Sequence, residues 1–347
     1  MPWHADRAHN FKPSPPPAAR FSVVLTYVAR RCLYSVVVLV AASFLTFTFV
    51  SLSGDPLAPL YTTPNVSRHS IEVVQQRKHL DEPIVKRYWY WVKDATTNKF
   101  GTTLLTNKPI LPDLWRVMKN TLQLVIAAEL LAITLAVVIG VVSAVRQYSL
   151  LDYAGTTFSF LGLATPVFWL GLMAQVAVVQ IYTHTGQKLL PVANLNSVDS
   201  GSGVHFWLDR AHHLVLPVLV LSVLNIANYS RFLRASMLEV VGSDYVRTAR
   251  AKGLAERRVT MSHAFRNALI PLVTVIALNF AGLLGGAIIT ETVFSLDGMG
   301  LYFVNALGTS DPYPVMAWLM LTAIIVIVFN LVADIAYGVL DPRVRFD

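Results

Sequence analysis

The chain has 347 residues, 54% of them hydrophobic and 14% charged, with 28 Lys and Arg against 20 Asp and Glu and a formal net charge of +8. A charged fraction well below the ~25% usual for soluble domains, together with a mean hydropathy of +0.54, excludes an ordinary soluble protein and predicts a polytopic membrane protein. The positive charge clusters between apolar runs, which argues for a membrane surface and against nucleic acid as partner.

In chain order, residues 1–20, with Pro13, Pro15, Pro16 and Pro17, read as a disordered tail. The spacing Phe21, Val24, Leu25, Val28 predicts a helix on the membrane surface that leads into a first span over 32–53, so that 21–53 form one unit. A crossing helix needs about 20 apolar residues. That first run follows about 30 residues and precedes no clear small-residue cleavage site, so it is expected to be a signal anchor and not a removed signal peptide. The single cysteine, Cys32, excludes an internal disulfide and is predicted to be a packed thiol.

Residues 54–120 form an external loop or cap with an amphipathic helix around 70–78, a turn at Asp81-Glu82-Pro83 and the aromatic run Tyr88-Trp89-Tyr90-Trp91, read as interfacial or packing residues. Further spans are predicted over 121–145, over 154–182 with a kink site at Pro166, over 214–230 with Pro217, over 268–290 and over 315–333. They make 121–338 the permeation core. Residues 183–212 read as an outer loop, and on that side His205, His212 and His213 lie close together with no cysteine or carboxylate expected to complete a metal site. Residues 339–347 are expected to form a tail.

The short connections set the orientation. One side carries Arg7, Lys12, Arg20, Arg30, Arg31, Arg146, Arg231, Arg234, Arg247, Arg250, Lys252, Arg257, Arg258, Arg266, Arg343 and Arg345; the other carries Lys188 and Arg210. The positive-inside rule then puts both termini in the cytoplasm. The most basic stretch, 231–266, holds eight of these cations against Glu239, Asp244 and Glu256, so it must lie outside the hydrocarbon between the fourth and fifth spans.

Enzymatic signatures are missing from the sequence: there is no His-Glu-x-x-His, no cysteine pair, no Gly-x-Ser-x-Gly and no P-loop with which to bind ATP. Five residues within the apolar runs are candidates for a pathway lining. Glu129 and Glu291 are intramembrane acids. Asn225 and Asn228 lie three apart, where they either line a polar path or bond across helices. Pro166 marks the kink. Gly282, Gly285 and Gly286 are expected to allow close helix approach.

Gly54-Asp55-Pro56, Leu80-Asp81-Glu82-Pro83 with Tyr88 and Trp91, Phe100-Gly101-Thr102, Thr165-Pro166-Val167-Phe168-Trp169 and His213-Leu214-Val215-Leu216-Pro217 follow one another along the chain. Arg231-Phe232-Leu233-Arg234-Ala235-Ser236-Met237-Leu238-Glu239, the block from Asp244 to Leu254, Arg266-Asn267-Ala268-Leu269-Ile270-Pro271, Glu291-Thr292-Val293-Phe294 with Gly298-Met299-Gly300, and Leu340-Asp341-Pro342-Arg343 complete the order. The chain thereby resembles the first, B-type, permease of the oligopeptide, dipeptide and nickel family of binding-protein-dependent ABC importers. Arg247, Thr248 and Ala249 fall where ABC permeases generally carry Glu-Ala-Ala, and Gly253 matches the signature glycine; Asp297 stands where many relatives carry proline.

The resemblance implies an all-α, six-span type I importer fold. It also implies a coupling loop over 231–267 in which Asp244, Tyr245, Arg247, Thr248, Ala249, Arg250, Lys252 and Gly253 meet an ATPase. The implied partners are a second homologous permease in a heterodimer, one fused or two separate cytoplasmic ATPases that use ATP and Mg, an extracytoplasmic solute-binding protein, and the lipid of a bacterial inner membrane. No cofactor, metal or catalytic residue is expected on this chain. The implied cargo is an oligopeptide or dipeptide, with nickel chelates, glutathione or glycans as alternatives. The rival class, an ATP-independent secondary transporter, predicts internal inverted repeats and a charged pathway, neither of which is evident.

Overall fold

The computed structural model describes residues 17–340 except 63, 65, 98, 99, 105 and 310. The chain before Pro17 and after Leu340, where the N-terminal and C-terminal tails are expected, lies outside the described residues. The described residues form helices, with one isolated antiparallel bridge between Thr102 and Pro109. In order they are α1 (Pro17–Leu52), α2 (Ala58–Thr62), α3 (Arg68–Arg77), α4 (Ile84–Thr97), α5 (Ile110–Val145), α6 (Leu150–Ala164), α7 (Val167–Thr185), α8 (Val204–Val241), α9 (Asp244–Ala251), α10 (Glu256–Arg258), a π-helical segment (Val259–Phe265), α11 (Arg266–Leu284), α12 (Ile288–Val293), α13 (Met299–Gly308) and α14 (Pro312–Leu340). Six are long and apolar enough to cross a bilayer, as predicted.

Their boundaries differ from the predicted ones for local reasons. Pro17–Arg20 form the first turn of α1, not a disordered tail, and α1 runs unbroken over 36 residues because nothing between the surface stretch and the span breaks a helix. At 1.5 Å per residue it is about 54 Å long, more than a bilayer core requires. Cys32 on this helix is exposed, against the expectation of a packed thiol. Contacts of α1 run along one side, to α14 and α4, with Ser43 and Phe47 buried there.

α5 starts at Ile110, well before the predicted 121, because Ile110, Leu114, Val117 and Met118 bury against Met299, Ala317 and Trp318. The third predicted span is two helices. Thr165 is extended with ψ 120°, as the ring of Pro166 requires of the residue before it, and the kink becomes a break. α8 begins at Val204, so His212, His213 and Arg210 sit on a helix and not in a loop. The fifth span ends at Leu284, and Glu291 belongs to the separate helix α12.

α5 and α8 form the centre of the bundle and run parallel. Arg210 meets Asn120 and Gln123 near one end, Asn225 and Tyr229 meet Glu129 in the middle, and Gly140 meets Ser230 and Leu233 toward the other end. α14 runs antiparallel to α1, with Arg31 paired to Asp334 at 2.7 Å and Phe47 clustered with Met316. The segment from α2 to α4 caps one end of the bundle. Trp91 packs against Phe47 and Met316, Tyr88 packs edge-on against Phe44, and Tyr90 stacks on His79. These three aromatics therefore pack, as the sequence suggested, while Trp89 is exposed.

Candidate functional site

The end of the bundle opposite the cap carries α9. Gly242 and Ser243 terminate α8, and the next eight residues form an amphipathic helix with the sequence DYVRTARA. Val246 and Ala249, three apart, bury against Val259 with Val240 and Leu254 beside them. Asp244, Tyr245, Arg247, Thr248 and Arg250 are exposed, as are Lys252 and Gly253 just beyond. Gly253 stops the helix with φ +76°, and its N–H donates to Arg250 O at 2.9 Å. Arg250 then reaches forward to Glu256 at 2.7 Å, closing the turn between α9 and α10.

One side-chain contact ties α9 to the bundle, and a second braces the end of the helix that precedes it. Asn267 donates to Tyr245 Oη at 3.1 Å and to His263 O at 2.8 Å, tying α9 to the start of α11. One helix back, Arg234 donates from Nε and Nη2 to the two oxygens of the buried Asp152 at 2.7 and 2.9 Å, and Tyr148 N–H donates to the same carboxylate at 3.0 Å. The Arg234 guanidinium holds the Asp152 carboxyl below its usual range, against the opposing effect of burial. The last turns of α8, from which α9 projects, are thus clamped to the start of α6.

Of the sequence-predicted coupling residues, Asp244, Tyr245, Arg247, Thr248 and Arg250 come together on the open face of α9 and Lys252 and Gly253 follow it, whereas Ala249 is buried against Val259; the predicted pathway residues do not come together. Glu129 and Asn225 meet inside the bundle, where Asn225 donates to Glu129 at 2.9 Å, Tyr229 Oη lies 3.1 Å from both carboxyl oxygens, and Asn279 donates to Tyr229 at 3.3 Å. Asn228 is exposed, and Pro166 caps α7. Glu291 lies apart from these: it accepts from Thr121 at 2.7 Å and from Gly300 N–H at 2.7 Å, so that it caps the amide end of α13. Gly286, at φ +120°, brings its backbone against Gly300, and a methyl at Gly285 would lie 2.7 Å from Thr322. Gly282 has open space around it and differs from the expected close approach.

Sequence reasoning missed Asp152 with Arg234, Tyr229 with Asn279, and the buried Arg210. The first pair carried a signal, an acid just after Arg146 at the same end as the basic stretch. Arg210 carried none once α8 was taken to start at 214.

An all-α bundle of six candidate spans with a basic amphipathic helix at one end defines a multi-pass membrane protein. Residues 136–346 match the family described as binding-protein-dependent transport system inner membrane component, and residues 24–138 match the N-terminal region of such membrane components. Among curated relatives, the oligopeptide transport system permease protein AppB of Bacillus subtilis is 34% identical over 322 residues, 92% of this chain and 99% of that protein. OppB of Mycobacterium tuberculosis, also an oligopeptide transport system permease protein, is 38% identical over 92% of this chain and 98% of its own length. The dipeptide permease protein DppB of Escherichia coli is 31% identical over 93% of this chain and 99% of its own. A solved amino acid ABC transporter overlaps 67% of this chain and 94% of its own at 12% identity and a TM-score of 0.47. The chain belongs to the family of binding-protein-dependent transport system inner membrane components, and it is a multi-pass permease subunit of the inner membrane.

Proposed function

We propose that this subunit pairs with a second, homologous permease to form the path by which oligopeptides or dipeptides enter the cell, and that α9 is the helix through which cytoplasmic ATPases drive it. The exposed row Tyr245, Arg247, Thr248 and Arg250 on a helix whose other face is buried carries the docking assignment. Arg31, Arg146 and Arg234 lie at the same end of the bundle as α9, which supports a cytoplasmic position for that end and for both termini. The cap then faces outward, where a solute-binding protein delivers cargo. ATP and Mg belong to the ATPases, and this chain contributes conformation without chemistry. The peptide cargo is supported by the names of the relatives, three of which are oligopeptide or dipeptide permeases.

A short amphipathic helix tied through Tyr245 to Asn267 at the start of α11, and following an end of α8 that Arg234 braces against Asp152, is suited to transmit displacement from a docked motor to the spans. The test is copurification and ATPase measurement on the assembled transporter. Reversing the charge at Arg247 (Arg247→Glu) is expected to leave the subunit in the membrane with its partner permease but to cut recovery of the ATPase. Wild-type recovery and wild-type receptor-stimulated hydrolysis in that variant would overturn the docking role.

A further inference from the structure

At the cap end of the bundle, Arg210 sits in the second turn of α8 with only 8% of its surface exposed. Its Nη1 donates to Asn196 Oδ1 at 2.8 Å, its Nε to Gln123 Oε1 and its Nη2 to Asn120 Oδ1. The Phe206 ring lies 5.8 Å from the guanidinium. Every one of these partners is neutral. The neighbouring acids are engaged elsewhere: Asp209 accepts from Ser197 N–H at 2.8 Å and from Ser197 Oγ at 2.7 Å, and Asp297 pairs with Arg116. Among the described residues Arg210 makes no ion pair.

A buried cation with only neutral acceptors is costly, because burial removes water and amide oxygens do not neutralise the charge. The amides around it are themselves held. Asn120 Nδ2 donates to Asp297 O at 2.6 Å, and Asn196 Nδ2 donates to Asp209 at 3.3 Å and to Phe206 O at 3.4 Å. The guanidinium is therefore fixed in one orientation, with two of its five N–H groups unused. Among the described residues those two N–H groups are available to a further acceptor.

We propose that Arg210 binds the terminal carboxylate of the transported peptide as cargo passes from the receptor into the permease. The proposal rests on the peptide reading and on the cap end facing outward. Arg210 is too enclosed for the surface of a folded partner to reach, and a chain terminus is the narrowest form in which a peptide presents an anion. A linear peptide carries that carboxylate whatever its side chains, so one fixed cation serves many sequences. A planar carboxylate also matches the paired N–H groups of a guanidinium.

The test uses the complete transporter with its receptor in proteoliposomes and compares uptake of a free-acid peptide with uptake of its C-terminal amide, both first shown to bind the receptor. The ratio of the two does not depend on how much transporter has inserted. Arg210→Gln is expected to lower the free-acid to amide ratio about tenfold or more, the scale of one lost charged hydrogen bond, with amide uptake per inserted transporter near wild type. Arg210→Lys, which keeps the cation but not the paired N–H groups, is expected to hold a ratio between those of wild type and Arg210→Gln. An unchanged ratio in Arg210→Gln, or an equal loss of both substrates in both variants, overturns the proposal and makes Arg210 a structural tie. Failure of the wild-type transporter to move either peptide overturns the peptide reading itself.

Discussion

Arg234 and Asp152 show how single side chains position the end of α8 from which α9 follows. With Asp152 buried and bonded by two of the three guanidinium nitrogens, Arg234→Met leaves a carboxylate with no cation beside it. Breaking a buried pair from one side costs about 3 kcal/mol or more, so the purified subunit should lose that much stability in thermal or denaturant unfolding. Arg234→Met with Asp152→Asn should recover part of it, which a double-mutant cycle measures. The pH dependence has a definite sign. The folded-state pKa of Asp152 lies below its unfolded value, so the stabilisation is present in full above the ordinary carboxylate range, near pH 4, and is lost as pH falls through the lower, folded value. Stability attributable to this pair should therefore be flat from neutral pH down to that range and drop below it, and the drop should be absent in the double variant.

The helices themselves divide into those legible in the sequence and those set by tertiary contact. Apolar length alone located the six spans, because a membrane-crossing helix has to be long and apolar whatever it packs against. The charge pattern placed only the stretch 231–266 outside the hydrocarbon, and the family resemblance picked Asp244 to Gly253 out of it; the buried pair Val246 and Ala249, which gives α9 its packed face, was seen only in the structure. Hydropathy was blind to the ends. The first turns of α5 and α8 carry polar residues such as Asn120 and Arg210, which the fold buries through mutual hydrogen bonds that no window average detects. Breaks at Thr165 and Gly285–Gly286 look like kinks until the partner helix is known.

At the second break, Glu291 replaces a missing turn of helix for α13. Glu291→Ala should leave the Gly300 and Leu301 amides and the Thr121 hydroxyl without that acceptor, at a cost of about 1 to 3 kcal/mol, read as earlier unfolding or faster proteolysis near α12 and α13. Gly298→Ala should do the same by a different route, because the added methyl would overlap the Glu291 carboxyl. On α9, Gly253→Ala meets no atom within 4 Å, yet φ is +76°. The backbone penalty is about 1 kcal/mol, so this variant should fold and insert while weakening ATPase recovery less than Arg247→Glu does.

At the scale of the whole molecule, the cap and the bundle are joined by the pairs Leu104–Asp311 and Lys78–Tyr313, which the chain separates by more than two hundred residues, with shorter-range bonds beside them. Leu104 N–H donates to Asp311 at 2.6 Å, Tyr313 N–H donates to the same carboxyl at 3.0 Å, Lys78 Nζ donates to Thr102 O at 3.0 Å, and Tyr313 Oη donates to Lys78 O at 3.3 Å. Lys78 also lies 4.8 Å from the centre of the Tyr313 ring. These contacts hold the cap to the start of α14, the span that packs against α1 and α11, so a load on the cap reaches that span directly. Burial pushes the Asp311 carboxyl up, opposed by its two backbone donors and by Lys78. A raised folded-state pKa means that the folded cap retains a proton where the unfolded chain has released it. The linkage therefore runs opposite to that of Asp152: cap stability is highest below the unfolded carboxylate range, falls as pH rises through the window above it, and is level beyond the folded value. Hydrogen exchange of the Leu104 and Tyr313 amides should accelerate across that window by more than the intrinsic pH effect on exchange. Asp311→Asn should remove the excess pH dependence while raising exchange at every pH, since an amide offers an acceptor to only one of the two donors. Unchanged pH dependence in Asp311→Asn would locate the coupling in a group other than Asp311.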